Sequence, residues 1–227
     1  MNGGLSLKLT MQQIGYALII LLGCLSFAIF LTINSVWLFD LNIHALHLSA
    51  ATGMSAEKMH EEYLRMINYI QNPLTHSLNF KYFISSPDGL QHFKDVRHLV
   101  IFNNVMAVIF VPVSFVLVRR LNKKSLTWML LTPIKTVVIF SLVIVSIMIV
   151  NFEQVFIYFH ELLFRNSDWI FDPDLDPVIN MLPDTFFFEC FTLFFIVFLA
   201  LHLWLYILAK KSLRSDPPLK STRSGKQ

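Results

Sequence analysis

Charge is what this sequence has least of. Only 15% of its 227 residues are Asp, Glu, Lys or Arg, against about 25% in a soluble domain. Hydrophobic residues make up 55%, and Phe alone supplies 22 positions. Such a chain is solvated by lipid over much of its length. Cysteine is nearly absent: Cys24 and Cys190 are the two, both inside apolar runs. A disulfide framework and a cysteine metal site are therefore not indicated. There is no HExxH, no GxSxG elbow, no phosphate loop and no dinucleotide fingerprint, so the chemistries those motifs serve lack a carrier. The apolar runs are also poor in polar groups. Glu189, Lys135, Asn103 and Asn104 all sit near an end, whereas a channel or transporter buries polar groups within its spans. The net charge of +3 is modest, and no nucleic-acid partner is expected.

What is present is four long apolar runs. Residues 14–39 are enough to cross a hydrocarbon core of about 30 Å. They show no early small-residue cleavage site and exceed a signal-peptide core, so they read as a retained helix. The second run, 99–118, ends in Arg119-Arg120-Leu121-Asn122-Lys123-Lys124. The third, 133–158, opens with Thr132 as an N-cap and Pro133 at the first helical position. It turns polar at Asn151, Glu153 and Gln154. The fourth, 186–209, ends at Lys210-Lys211. The predicted fold is an all-α integral membrane protein with four transmembrane helices and an extracytoplasmic cap of helices and loops.

Basic residues are retained on the cytoplasmic side. Twelve of the eighteen Lys and Arg fall at Lys8, in the 119–124 cluster, at Lys135 and in the tail from Lys210. Segments 1–13, 119–132 and 210–227 are thus expected to be cytoplasmic, and 40–98 and 159–185 extracytoplasmic. The polar tail, with Pro217-Pro218, is expected to be disordered. Within 40–98, Met59, Tyr63, Met66 and Ile70 recur at helical spacing in an amphipathic segment that Ser55 is placed to cap. The turn Ser85-Ser86-Pro87-Asp88-Gly89 leads into a helix that enters the second run.

The stretch 159–188, FHELLFRNSDWIFDPDLDPVINMLPDTFFF, lies between the third and fourth runs. Its Asp-Pro pairs, Asp172-Pro173 and Asp176-Pro177, rule out a continuous helix. His160 stands where the apolar run gives out. His92, about two turns before the second run, falls on the same side, with Asp95 three residues on and so on the same helical face. Imidazole suits general acid–base work because its ordinary pKa, about 6.5, lies near working pH. On spacing alone each reads more readily as an interfacial or packing histidine, and His98 is an alternative partner for Asp95. His44, His47, His60 and His76 read as loop or amphipathic-face residues, and His202 as a side chain buried near the cytoplasmic end. The run Asp172, Asp174, Asp176 imitates the start of a calcium loop. It lacks the glycine at the turn and the Glu at position twelve, so no metal and no cofactor is expected.

Together, SSPDGLQHFKDV before the second run and the 159–188 stretch before the fourth resemble the lipoprotein intramolecular transacylase family of Gram-positive bacteria. The resemblance rests on His92 with Asp95-Val96, His160, Trp169, the two Asp-Pro pairs, Leu182-Pro183 and Phe186-Phe187, and Phe93 stands where the family pattern has Met. It implies a membrane enzyme that moves the sn-2 acyl chain of a diacylglyceryl-modified lipoprotein onto the α-amino group of its N-terminal cysteine, giving the lyso-form. It implies His92 and His160 as the catalytic pair. Asp95 is expected to orient an imidazole, and Tyr158, Trp169, Asp172, Phe186 and Phe187 to line the substrate pocket. Arg165 and Asn166 are candidates to stabilise the oxyanion. A monomer in the bacterial cell membrane is expected, in contact with membrane lipid, with its site at the extracytoplasmic face. Two other readings stand beside this one: a phospholipid-dependent lipoprotein N-acyltransferase, and a non-enzymatic membrane protein that binds a lipid or partner through its outer loops.

Overall fold

The computed structural model describes the backbone of residues 2–215 and the side chains of residues 11–213. The tail 216–227, expected to be disordered, lies outside the described residues, as do the side chains of Lys8 and Arg214. Among the described residues there are helices and loops and no strand. Four helical stretches are long and apolar enough to cross a membrane: Met11–Ile33, Pro87–Lys123, Thr127–Val150 and Asp184–Leu213.

The first helix, α1 (Asn2–Ile33), stops short of the expected boundary at residue 39. Asn34 and Ser35 turn their side chains back onto the carbonyls of Phe30 and Leu31, at 2.7 and 2.9 Å. Such bonds compete with the helical ladder, and the chain restarts as α2 (Val36–Ala45). A short α3 (Leu48–Thr52) follows. It begins after His47 in the left-handed region (φ 52°) and ends at Gly53 (φ 66°).

Next comes α4 (Ala56–Gln71), whose Met59, Tyr63, Met66 and Ile70 are all buried, as their spacing predicts. Ser55 occupies the N-cap position but makes no capping side-chain bond. The periodicity gives no hint that Glu62 is fully buried. Its Oε1 accepts from the Lys81 and Tyr82 amides at 2.6 and 2.5 Å, pinning the extended segment that follows.

The approach helix and the second span are one rod, α5 (Pro87–Lys123). At 37 residues it measures roughly 55 Å, well beyond an apolar layer of about 30 Å. Its first three turns, with Asp88, Lys94, Asp95, Arg97 and His98, precede the expected apolar run at 99–118. It packs tightly on α1 where Gly23 meets Ser114. A Cβ at Gly23 would overlap that hydroxyl and the Phe110 carbonyl, and Ser114 Oγ donates to the Ile19 carbonyl at 2.9 Å.

The third span, α6 (Leu131–Val150), is preceded by a 3-10 turn at Thr127–Leu130. Thr132 is thus inside the helix and does not cap it. The expected run to residue 158 is divided at Asn151 (φ −153°), whose side chain caps the next helix by accepting from the Gln154 amide at 3.1 Å. That helix, α7 (Phe152–Leu163), carries His160. A loop with a 3-10 turn at Pro177–Met181 leads into α8 (Asp184–Ser215).

Two apolar cores result. One joins the spans through Ile20, Cys24, Ala28, Leu130, Ile134, Phe198, Leu205 and Ala209. The other fills the cap. There Phe39 stacks on Tyr63 at 4.0 Å, and Phe186 meets both rings edge-on at 5.7 and 5.9 Å. Asn42 in this core donates to Glu189 at 2.5 Å, which gives the carboxylate on α8 a partner.

Candidate active site

The start of α5 and the end of α7 meet under the loop of residues 164–176. His92 and His160 are each only 8% exposed, and their ring centroids lie 5.9 Å apart. The two rings share an aromatic box. Phe164 stands 4.9 Å from His92 and 5.7 Å from His160. Phe171 meets His92 edge-on at 5.5 Å. Trp169 stacks on His160 at 4.8 Å and Phe156 lies 4.1 Å from it.

The helix bearing His160 rides on α8 through rings of its own. Phe152 contacts Phe188 and Phe191 at 5.3 and 5.6 Å, and Phe156 contacts Phe187 at 5.1 Å.

The hydrogen bonds assign one imidazole. Nδ1 of His160 lies 2.8 Å from the Phe156 carbonyl oxygen. A carbonyl can only accept, so Nδ1 carries the proton and Nε2 holds the lone pair. Nδ1 of His92 is sealed from solvent with no hydrogen-bond partner. Burial pushes His92 down to about 4, aided by the neighbouring His160 and opposed by Asp95. Burial lowers His160 too, against the Phe156 carbonyl, which favours the proton. Desolvation disfavours the charged imidazolium, so both rings are neutral at pH 7 and both are proton acceptors.

The other expected site residues are placed unevenly. Asp95 makes no hydrogen bond to His92. Its two oxygens accept from Gln91 at 2.8 Å and from Asn166 at 3.0 Å, which fastens the loop to α5. Asn166 also accepts the Trp169 indole N–H on its carbonyl at 3.2 Å. Arg165 is exposed. Tyr158 is 62% exposed. The Asp172 side chain accepts from the Asp174 amide at 3.0 Å and shapes the loop instead of lining the box. Phe186 belongs to the cap core, and Phe187 reaches His160 only through Phe156. His98 is exposed and stands apart. Among the described residues no cluster of three metal-ligating side chains occurs, at Asp172–Asp176 or elsewhere.

Phe156, Phe164 and Phe171 were not singled out from the sequence. The first two lie four residues before and after His160, so helical spacing held the signal. Phe171 is delivered by the loop, and no spacing marks it.

The profile of the family described as "Lipoprotein intramolecular transacylase Lit" matches residues 14–187. Among solved structures, the in meso structure of the membrane integral lipoprotein intramolecular transacylase Lit from Bacillus cereus superposes with a TM-score of 0.85. The identity is 23%, over 92% of this chain and 97% of that one. Structures of the same protein with a histidine replaced by arginine or by alanine superpose with TM-scores of 0.77 and 0.76. Their identities are 23% and 24%, over 92% of this chain and 93% and 95% of theirs. At these identities the likeness speaks for the fold. No curated protein sequence matches the chain.

Proposed function

The chain belongs to the lipoprotein intramolecular transacylase family, and from that membership we propose that it moves the sn-2 acyl chain of a diacylglyceryl-modified lipoprotein to the α-amino group of the N-terminal cysteine. The observation that carries this reading is the pair of buried, neutral imidazoles 5.9 Å apart in an aromatic box. The amine nitrogen, once neutral, attacks the ester carbonyl carbon. A C–N bond forms, the bond from that carbon to the glyceryl oxygen breaks, and one proton passes from nitrogen to that oxygen. A lowered imidazole pKa weakens the ring as a base and strengthens its imidazolium as an acid. The resting ring is a free base, and the imidazolium it becomes is a strong acid that readily protonates the departing alkoxide.

Trp169, Phe164 and Phe171 keep the box dry and hold amine and ester close, a proximity effect worth up to about 7–11 kcal/mol when alignment is good. Asp95 acts through Asn166, holding the loop that carries Trp169. Arg165, exposed beside Phe164, is the candidate to face the developing oxyanion. Both imidazoles come from one chain, so the site needs no second copy and a monomer suffices. Following the basic residues, we place both termini in the cytoplasm and the box at the outer face of the membrane, with the hydrocarbon crossed near 14–33, 99–118, 133–150 and 186–209.

The test is a purified diacyl lipopeptide in detergent without added phospholipid. The expected product has unchanged mass, with fragmentation showing one chain moved from glycerol to the cysteine nitrogen, and a chelator leaves turnover intact. A product heavier by one acyl group, formed only with phospholipid present, would establish the donor-dependent reaction and sink this one.

A further inference from the structure

Asp176 lies outside the imidazole box yet is only 3% exposed. Its carboxylate accepts from the Ser86 amide at 2.8 Å and from the Ser86 hydroxyl at 2.6 Å, across 90 residues of sequence. The same hydroxyl accepts from the Gly89 amide at 2.9 Å as the N-cap of α5. Ser86 thus donates to the loop and accepts from the helix. A carboxylate at a helix N-terminus is also favoured by the helix dipole.

Gly89 makes the approach possible, since a Cβ there would overlap the Asp176 carboxylate. Gly weakens a helix relative to Ala, so its presence in the first turn of α5 answers to this contact. Gly89 and His92 are three residues apart and share a face.

On the loop side, Asp176 closes a small knot. The Leu175 and Asp176 amides both donate to the Asp172 carbonyl, at 3.0 and 2.7 Å, between Pro173 and Pro177. Phe171, against His92, is the residue just before the knot, and Trp169, against His160, is two further back. The loop has a second fastening to α5, Asn166 on Asp95, but that bond is exposed to water and is the weaker tie.

We propose that Asp176 is a positioning residue, a latch that clamps Ser86 across Gly89 and so holds Phe171 and Trp169 against the two imidazoles. The latch rests on the reading of His92 and His160 as the proton-transfer pair. Released, the loop lifts at its buried end, water reaches His92, and the amine and ester lose their alignment.

The experiment measures turnover of the diacyl lipopeptide, thermal unfolding in detergent, and titration of His92 by NMR with ¹³C-labelled histidine. The charged or titratable groups facing His92 are His160 on α7 and Asp95 on its own helix. The loop faces it with Phe164 and Phe171, which carry no charge. In Asp176→Ala, turnover is expected to fall on the order of 100-fold, the cost of misplacing a reacting group by about 1 Å. The His92 titration is expected to move up towards about 6.5, its hydrated value. A general loss of stability would not move that titration in the folded protein.

Asp176→Asn still accepts from the Ser86 amide and can donate to its oxygen, so it is expected to keep most of the activity. Gly89→Ala favours the helix yet pushes the carboxylate away, so it is expected to match Asp176→Ala. The two together are expected to be no worse than Asp176→Ala alone. Wild-type turnover and an unmoved His92 titration in Gly89→Ala would overturn the latch, even if Asp176→Ala failed to fold. Full activity in His92→Ala would instead overturn the histidine pair, so the two failures are told apart.

Discussion

Acidification should destabilise this protein through His92, by an amount the burial of that ring sets. In the folded chain His92 takes a proton only near about pH 4, whereas an unfolded histidine takes one near about 6.5. Between those values the unfolded state binds more protons, so stability rises with pH across the window and is lost as pH falls through it. The contribution is complete above about pH 6.5. Each pKa unit is worth about 1.4 kcal/mol, so on the order of 2–3 kcal/mol should be gone by about pH 4.5, and a little more well below 4. For a chain of this length that corresponds to a fall of roughly 5–10 °C in unfolding midpoint. The assay is thermal unfolding in detergent between about pH 7.5 and 4.5, on wild type and on His92→Phe. Phe keeps an aromatic ring in the box and does not titrate, so groups not coupled to His92 cancel in the difference, and His160, coupled to it, is followed in its own variant. His92→Phe should lose less on acidification by about the amount given. If both proteins lose the same number of degrees, His92 is not a buried neutral base, and the argument for its chemistry goes with it. His160, also lowered by burial, should act in the same direction in His160→Phe.

Alanine at His92 or at His160 should remove the lyso-form product while membrane insertion stays near normal. The double variant should be no worse than the worse single, because residues acting as one unit are not additive. Substantial activity in either single variant would dissolve the pair. A reporter active only outside the cell should be active when inserted near Asn72 and silent when fused after Lys211. The opposite pattern would invert the placement of the box at the outer face.

Four long apolar helices and the two histidines that meet in the aromatic box were legible in the order of amino acids. Bilayer thickness imposes a length on each apolar run, and a run such as 186–209 announces itself with no knowledge of its neighbours. Amphipathic spacing did the same for Met59, Tyr63, Met66 and Ile70, each of which faces the cap core. His92 and His160 drew notice as histidines near the ends of apolar runs, but spacing alone did not pair them, and the pairing came from the family resemblance. Run length and amphipathic spacing are local properties, with periods of a few residues. The helix breaks at Asn34 and Asn151 are local as well, but they turn on whether an amide side chain captures a backbone group, a contest the period of hydrophobicity does not record.

What the tertiary structure alone decided is who meets whom. Asp95 shares a helical face with His92, yet its carboxylate goes to Gln91 and Asn166. Phe186 sits in a motif beside Phe187, yet it fills the cap core against Phe39 and Tyr63. Phe171, in a loop with no period, closes over His92, and Asp176 finds Ser86 from 90 residues away. A bilayer and a helical repeat act on the chain one segment at a time, so sequence records them. A folded loop answers to every surface it touches at once, and Gly89 shows how little trace that leaves: one missing side chain, meaningful only when the carboxylate it makes room for is in place.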